Sequence, residues 1–395
     1  MPIQIQFGFL ETERSGNKRI ALEVPPSEDV KKRKAKEWSS STLVLGIEYC
    51  PVCLSPEHST VTTSCCAPRE VTADELPPNI PEYININLLS ARNPHLYDFS
   101  IKFLENVHKY YVRWYAPDQG MYTCANTVSV STFVHDYFGH FDPDTTIHRM
   151  INGRNWNPNN KYYGMTPCQI KAMWEENGRR ASDQGSKFHL LLECFYNGMD
   201  LIPWRRFRPI QQFLRWHRGH VHGKLIPFRT EWRLRTDNAT RLTGTIDIIF
   251  IEPDHPPPEQ TGGVLRLHMK DWKFSKEIRK KGFGNKKGSG PCCGLDDCNY
   301  SHYALQLNTY QSILEKFYTD MWYRGKKYDR IKVLSRELAV FHDIREEAEV
   351  VRIPRMSECV DEMMRRRKEK LQQEEGEKDE HGTMVYMFGK ELPTS

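Results

Sequence analysis

Apolar positions along this chain switch between a period of two and a period near 3.6, and the switches predict its elements. Thr243-Gly244-Thr245-Ile246-Asp247-Ile248-Ile249-Phe250-Ile251 and Leu265-Arg266-Leu267-His268-Met269-Lys270-Asp271-Trp272-Lys273 are short runs of β-formers. Between them the loop Glu252 to Gly263 holds Pro253 and Pro256-Pro257-Pro258, so the pair predicts a hairpin. Arg336 to Phe341 and Ala348 to Ile353 predict two later strands. Helical spacing of Tyr97, Ile101, Phe103, Leu104, Val107, Tyr110 and Tyr111 predicts a helix running to Arg113. After Val128 a short helix is expected with Ser131 as its cap, then a turn at Asp142-Pro143-Asp144 and a helix over Thr146 to Met150. Thr166 before Pro167 opens another helix, with Gly185 to Glu193 reading as helical beyond it. His302 to Tyr318 and a charged segment from Val360, with Arg365-Arg366-Arg367-Lys368, predict the last helices, before a frayed acidic tail from Gln372.

Polar residues that interrupt these patterns are the candidate chemistry. Asp247 stands inside an apolar strand, while Asp271 and Lys273, two apart near the end of the next, share a face. Carboxylates drawn out of water need a cation or a metal, and two converging on one point favour a hard divalent ion. Taken alone, Asp271-x-Lys273 reads first as a surface ion pair on a strand end. His189 and Glu193 lie one helical turn apart and share a face, as do Gln306 and Tyr310.

Composition narrows the picture only in places. The chain has 395 residues, 38% hydrophobic and 27% charged, with no apolar run long enough for a membrane span and a polar N-terminus unlike a signal peptide. A soluble intracellular protein is expected. Net charge is +5, but the positive charge is uneven: between Trp204 and Arg241 there are ten Arg or Lys against Glu231 and Asp237. Arg205, Arg206, Arg208, Arg215 and Arg218 in that segment, with Lys276 in the Gly- and Lys-rich loop to Pro291, are candidate contacts to a phosphate backbone. Trp204, Phe207, Trp216 and Trp232 interleave with them, as stacking rings for bases or as core. The basic run Lys31 to Lys36 reads as a nuclear-import signal, a nucleic-acid contact or a solvated arm. Eleven cysteines suit reduced thiols or metal ligands. Cys50, Cys53, His58 and Cys65 form C-x2-C-x4-H-x6-C, compatible with structural Zn²⁺ or with free thiols in a loop.

In chain order the constellation is Gly185-x3-His189-x3-Glu193, Gly244-Thr245-Ile246-Asp247, Asp271-Trp272-Lys273 and Gln306-x3-Tyr310, on helix, strand, strand and helix. It resembles the RecB-like branch of the PD-(D/E)XK nuclease superfamily, which includes CRISPR-associated exonucleases and related viral and mitochondrial enzymes. The resemblance spans roughly residues 128–353 and implies an α/β, restriction-endonuclease-like core with a central mixed β-sheet flanked by helices. It also implies that His189, Asp247, Asp271 and the Trp272 backbone carbonyl bind Mg²⁺ or Mn²⁺. Lys273 is then the catalytic lysine, Gln306 and Tyr310 its supports, and Glu193 and Glu231 further acids near the metal. Ile246 replaces the proline of the family's name, and only Cys359 follows Tyr310, so no iron-sulfur cluster is expected. No Walker A motif occurs, so any helicase or replication motor would be a partner chain.

The expected organisation is an accessory region over 1–90, a nuclease domain over 91–356, and a charged helix and tail over 357–395. The expected function is metal-dependent hydrolysis of DNA phosphodiester bonds, as an exonuclease on single strands or ends in replication, repair or recombination. The alternatives are a non-catalytic nucleic-acid-binding scaffold of the same fold and a sequence-selective endonuclease.

Overall fold

The computed structural model describes residues 88–380 apart from 105–108, 117–120, 126, 199–200 and 202–203. The basic run at Lys31, the cysteine pattern from Cys50 to Cys65 and the end of the tail lie outside the described residues. In chain order the elements are α1 (Leu88–Arg92), β1 (Ile101–Leu104), β2 (Lys109–Ala116), β3 (Met121–Ala125), β4 (Val128–Ser129), α2 (Val130–His135), α3 (Pro143–Ile151), α4 (Pro167–Tyr196) and α5 (Arg208–His220). Then come β5 (Ile226–Arg235), β6 (Leu242–Ile251), α6 (Pro258–Thr261), β7 (Val264–Phe274), α7 (Asn299–Phe317), β8 (Met321–Tyr323), β9 (Lys326–Tyr328), β10 (Arg330–Phe341), β11 (Glu349–Arg352) and α8 (Ser357–Glu380). None of the described helices is long and apolar enough to cross a membrane.

The architecture is the expected one, a mixed sheet flanked by helices. Its strand order is β11-β10-β7-β6-β4, with β5 also paired to β6. β10 runs parallel to β7, while β5 and β7 are antiparallel to β6. Leu265, Leu267 and Met269 of β7 join Leu305, Ile313 and Leu314 of α7 in one fully buried core. On the other side Trp272 is buried with Phe213, Trp216 and Phe341, at ring distances of 5.2–6.2 Å. Truncating one such ring to Ala costs about 3–5 kcal/mol, so the sheet end that carries Asp271 is firmly anchored.

Local signals explain several element boundaries. Thr166 and Gln169 form a reciprocal capping box at the start of α4, whose thirty residues continue through His189 and Glu193. Asp142 caps α3, which therefore begins at Pro143, earlier than the spacing at Thr146 suggested. Ser129, not Ser131, caps α2, because its hydroxyl accepts the Thr132 amide at 3.0 Å. The helix expected over Tyr97 to Arg113 is instead a 3-10 turn (Leu96–Ser100) followed by the antiparallel pair β1 and β2. Ile, Phe, Tyr, Val and Trp dominate this stretch, and pairing with a neighbour decides such short runs over an accidental helical spacing.

Candidate metal centre and active site

The site sits where the sheet splits. β7 pairs with β6 only over Ile248/Lys270, Ile249/Met269 and Phe250/His268, whereas β4 pairs with the same edge of β6 at Leu242 and Thr243. Between them β6 presents Gly244 to Asp247 to an open notch, while β7 stays paired to β10 as far as Phe274. The Trp272 amide, leaving the β6 ladder, donates to Asp247 Oδ2 at 2.7 Å. Gly244 is required here: a Cβ at this position would meet the Tyr310 ring at 2.6 Å.

Asp247 gathers its partners from three other elements. His189 Nδ1 lies 3.6 Å from Asp247 Oδ2, and the Trp272 carbonyl accepts from the His189 ring. Glu231 lies opposite Asp247 in the β5/β6 register and holds a left-handed φ of 42° within a strand. That conformation costs a non-glycine residue roughly 1–2 kcal/mol. Potential ligand atoms of His189, Glu231 and Asp247 lie within 4.8 Å of one another. Beside them Lys273 Nζ contacts Asp271 Oδ2, a buried oxygen that makes no aligned hydrogen bond.

The electrostatics are those of too many acids for the cations present. Burial pushes Asp247 up to about 6, against the downward pull of Lys273 and the Trp272 amide. Asp271 is likewise pushed up to about 6, by burial first and against Lys273. Glu231 is raised well above the carboxylate range by burial and by the Asp247, Glu193 and Asp271 charges. Burial and Lys273 lower His189 to about 4, so its ring is neutral and able to ligate. Burial also works against the Lys273 ammonium, but Asp271 and Asp247 outweigh it and raise its pKa. Mostly carboxylate oxygens with one imidazole suit a hard divalent ion such as Mg²⁺ or Mn²⁺. The donor set fits such an ion, because the carboxylates of Glu231 and Asp247 and the neutral His189 ring converge where burial disfavours their own negative charge.

The expected residues fall into groups. His189, Asp247, Asp271, Lys273 and the Trp272 carbonyl do meet, and Glu231, expected only as a nearby acid, supplies an atom to the ligand triad while Asp271 is engaged by Lys273. Glu193 acts on Glu231 through space. Gln306 Nε2 donates to Tyr310 Oη at 3.1 Å beside Gly244, so that pair reaches the notch through Tyr310. Tyr303, one turn before Gln306 on α7, places its ring 4.5 Å from Lys273 Nζ. The sequence reading missed it, although 303, 306 and 310 share a helical face.

Within the basic segment Arg233 acts on Glu231 at the notch, whereas Arg208 and Arg215 have partners elsewhere. Arg208 lies 3.5 Å from Glu346 and donates to the Asp343 carbonyl, and Arg215 pairs with Glu347 at 3.0 Å, so both fasten the β10–β11 loop to α5. Arg206, Arg218 and Lys276 are exposed, and the Arg205 carbonyl accepts from Gln211. Of the rings offered for base stacking, Phe207, Trp216 and Trp232 are core residues, 1%, 3% and 0% exposed. Their spacing among arginines reflects strand and helix alternation, with the rings turned inward.

No protein-family model and no curated protein matches this chain. Among solved structures it is similar to SSO0001, at 14% identity and TM-score 0.23, over 63% of this chain and 77% of that one. It is also similar to a candidate exonuclease from Eubacterium rectale, at 12% identity and TM-score 0.28, over 68% and 91% of the two chains. At TM-scores this low neither likeness bears on what the chain does.

Proposed function

We propose that this chain is a divalent-metal-dependent nuclease that hydrolyses DNA phosphodiester bonds, acting on single strands or ends. The observation that carries the reading is the notch itself: His189, Glu231 and Asp247 within ligand distance of one another, with the Asp271–Lys273 pair at its rim. His189, Glu231 and Asp247 would hold Mg²⁺ or Mn²⁺, with Asp271 available from the adjacent strand. When bound, the ion supplies Lewis-acid polarisation of a phosphate and a more acidic water. The chain's own contribution is positional. Asp271 fixes the Lys273 ammonium, which stabilises charge growing on phosphoryl oxygens, and the Trp272 amide and carbonyl lock the carboxylate of Asp247 and the ring of His189.

The test is incubation of the purified protein with end-labelled linear single-stranded, linear duplex and circular DNA in Mg²⁺, Mn²⁺ or EDTA, beside Lys273→Ala and Asp271→Ala. Cleavage of linear DNA in either metal, lost in EDTA and in both variants, is expected. Cleavage that survives both substitutions, or none on any substrate, overturns the reading.

A further inference from the structure

The N-terminal half of α4, with α3 and the loop between them, forms a lobe that the notch does not use. Ile147 and Ile170 are its buried residues, 1% and 0% exposed. The loop is ordered by its own hydrogen bonds, among them Asn160 amide to Asn157 carbonyl and Tyr163 amide to Asn160 carbonyl, both at 2.8 Å. Its aromatic rings are not gathered onto that small core. Phe141 and Tyr163 are 58% and 51% exposed. Phe141 lies 5.9 Å from Trp174, and Tyr163 lies 5.8 Å from Trp156. The Trp174 indole donates to Tyr162 Oη at 2.8 Å, which fixes the inner rings and leaves the outer ones facing water. Exposed rings, Tyr163 in this ordered loop and Phe141 just before α3, are unlike core rings, which the same fold buries completely elsewhere.

Charge gives these rings a partner. Between the acids Asp142 and Asp144 on one side and Glu175 and Glu176 on the other, residues 145–174 hold no Asp or Glu, whereas Arg149, Arg154, Lys161 and Lys171 are present. Lys171 pairs with Asp144, but Arg149 and Arg154 are exposed and make no ion pair among the described residues. Position also matters. Trp174 and His189 lie on the same helix fifteen residues apart, which at 1.5 Å and 100° per residue is about 22 Å along the axis and about 60° around it. The lobe and the metal ligand therefore face the same side of α4, a few nucleotides of extended strand apart.

We propose that this lobe binds single-stranded nucleic acid, stacking unpaired bases on Phe141 and Tyr163 and holding the backbone with Arg149 and Arg154. It rests on the phosphodiester reading of the notch and adds where the strand is engaged and in what form. Exposed rings reward bases freed from pairing, while the two arginines meet the phosphates between them. A duplex, whose bases are stacked on each other, gains only the arginine contacts.

The experiment is fluorescence anisotropy of the full chain with an end-labelled oligothymidylate of about 30 nucleotides and a duplex of equal length, in EDTA so that nothing is cut. Phe141→Ala with Tyr163→Ala is expected to weaken oligothymidylate binding at least ~10-fold and duplex binding less than about twofold. Phe141→Tyr with Tyr163→Phe, which keeps both rings, is expected to bind as the parent does. Arg149→Ala with Arg154→Ala is expected to lower the slope of log affinity against log salt by about 1.4 units on the single strand. Parent-like oligothymidylate affinity in the double alanine variant, an equal loss on duplex, or no single-strand binding by the parent overturns the lobe. Cleavage by the parent in Mn²⁺ is scored separately. Cutting with unchanged variant affinity removes the lobe and leaves the nuclease, whereas weakened variant affinity without any cutting keeps the lobe and removes the nuclease.

Discussion

Strand β7 carries two lysines three residues apart, and they occupy opposite circumstances. Lys270 is buried against Glu337 of β10, which Arg352 also approaches at 3.7 Å, and beside the Trp216 ring at 5.8 Å, so here the cations fully answer the one carboxylate. Lys273 emerges on the other face, against Asp271 and with Asp247 and Glu231 close behind, so one ammonium answers several carboxylates. A balanced buried pair is a structural element, because each charge compensates the desolvation of the other. An unbalanced cluster in a strand end that the rest of the sheet holds rigid instead carries surplus acid, which an added cation would compensate. The two halves of Lys270-Asp271-Trp272-Lys273 thus belong to different jobs, and substitutions should separate them.

The largest separation should appear in activity. Lys273→Ala is expected to lower cleavage by at least 10²–10³-fold, the range for removing a preorganised charge from a reacting centre. Replacing the other pair together, Lys270→Met with Glu337→Leu, should leave cleavage within a few-fold of the parent. Equal losses in a time course on labelled DNA would mean that the two lysines are not distinct in role.

Stability should show the reverse. Glu337→Leu alone strands a buried ammonium and is expected to cost about 3 kcal/mol by urea denaturation, whereas adding Lys270→Met should restore most of it. Lys273→Ala is expected to cost less, because Asp271 and Asp247 lose a cation but can take up protons.

The balanced face also carries a pH signature of its own. His217, on α5 near Trp216, is buried with Nδ1 2.9 Å from the Tyr196 hydroxyl, and burial lowers it to about 3. In the unfolded chain the ring titrates near its usual value of about 6.5. The unfolded state therefore binds the proton first, so this contribution is complete above pH 6.5 and lost as pH falls toward 3. Between pH 7 and pH 4 the loss is roughly 3 kcal/mol. Chemical denaturation of parent and His217→Leu across that range should converge toward low pH, since the variant lacks this loss; parallel curves would place the acid sensitivity elsewhere.

What was legible from residues alone follows the same division. Asp247, Asp271, Lys273, Gln306 and Tyr310 could be singled out as candidates because they interrupt apolar patterns, and periodicity then assigns them to a face. The capped start of α4 was readable because Thr166, Pro167 and Gln169 act within one turn. Pairings between distant strands were not. Nothing in Glu337 announces that it answers Lys270, and Glu231 reached the ligand triad only because β5 places it opposite Asp247 with a left-handed backbone. The strands at Ile101 and Lys109 were missed for the same reason, since their partner decides them more than their spacing does. Of the arginines expected to meet a phosphate backbone, Arg208 and Arg215 have partners in the β10–β11 loop, which no spacing along the chain announces.

The smallest expected effect concerns Tyr303, and it tests how Lys273 is held. Its ring lies 4.5 Å from Lys273 Nζ, on the face of α7 that also carries Gln306 and Tyr310. Such a contact is worth about 0.5–2 kcal/mol where water is excluded. Because the ring acts on the ammonium and not on the substrate, Tyr303→Leu should lower kcat by a few-fold to tenfold with little change in KM, while Tyr303→Phe, which keeps the ring, should behave as the parent. A loss in Tyr303→Phe as large as in Tyr303→Leu would instead give the role to the hydroxyl. A rise in KM alone would mean that Tyr303 meets the strand directly. This last result would show that Lys273 is positioned by Asp271 without the help of α7, which narrows the unbalanced cluster to the three strands that carry its acids.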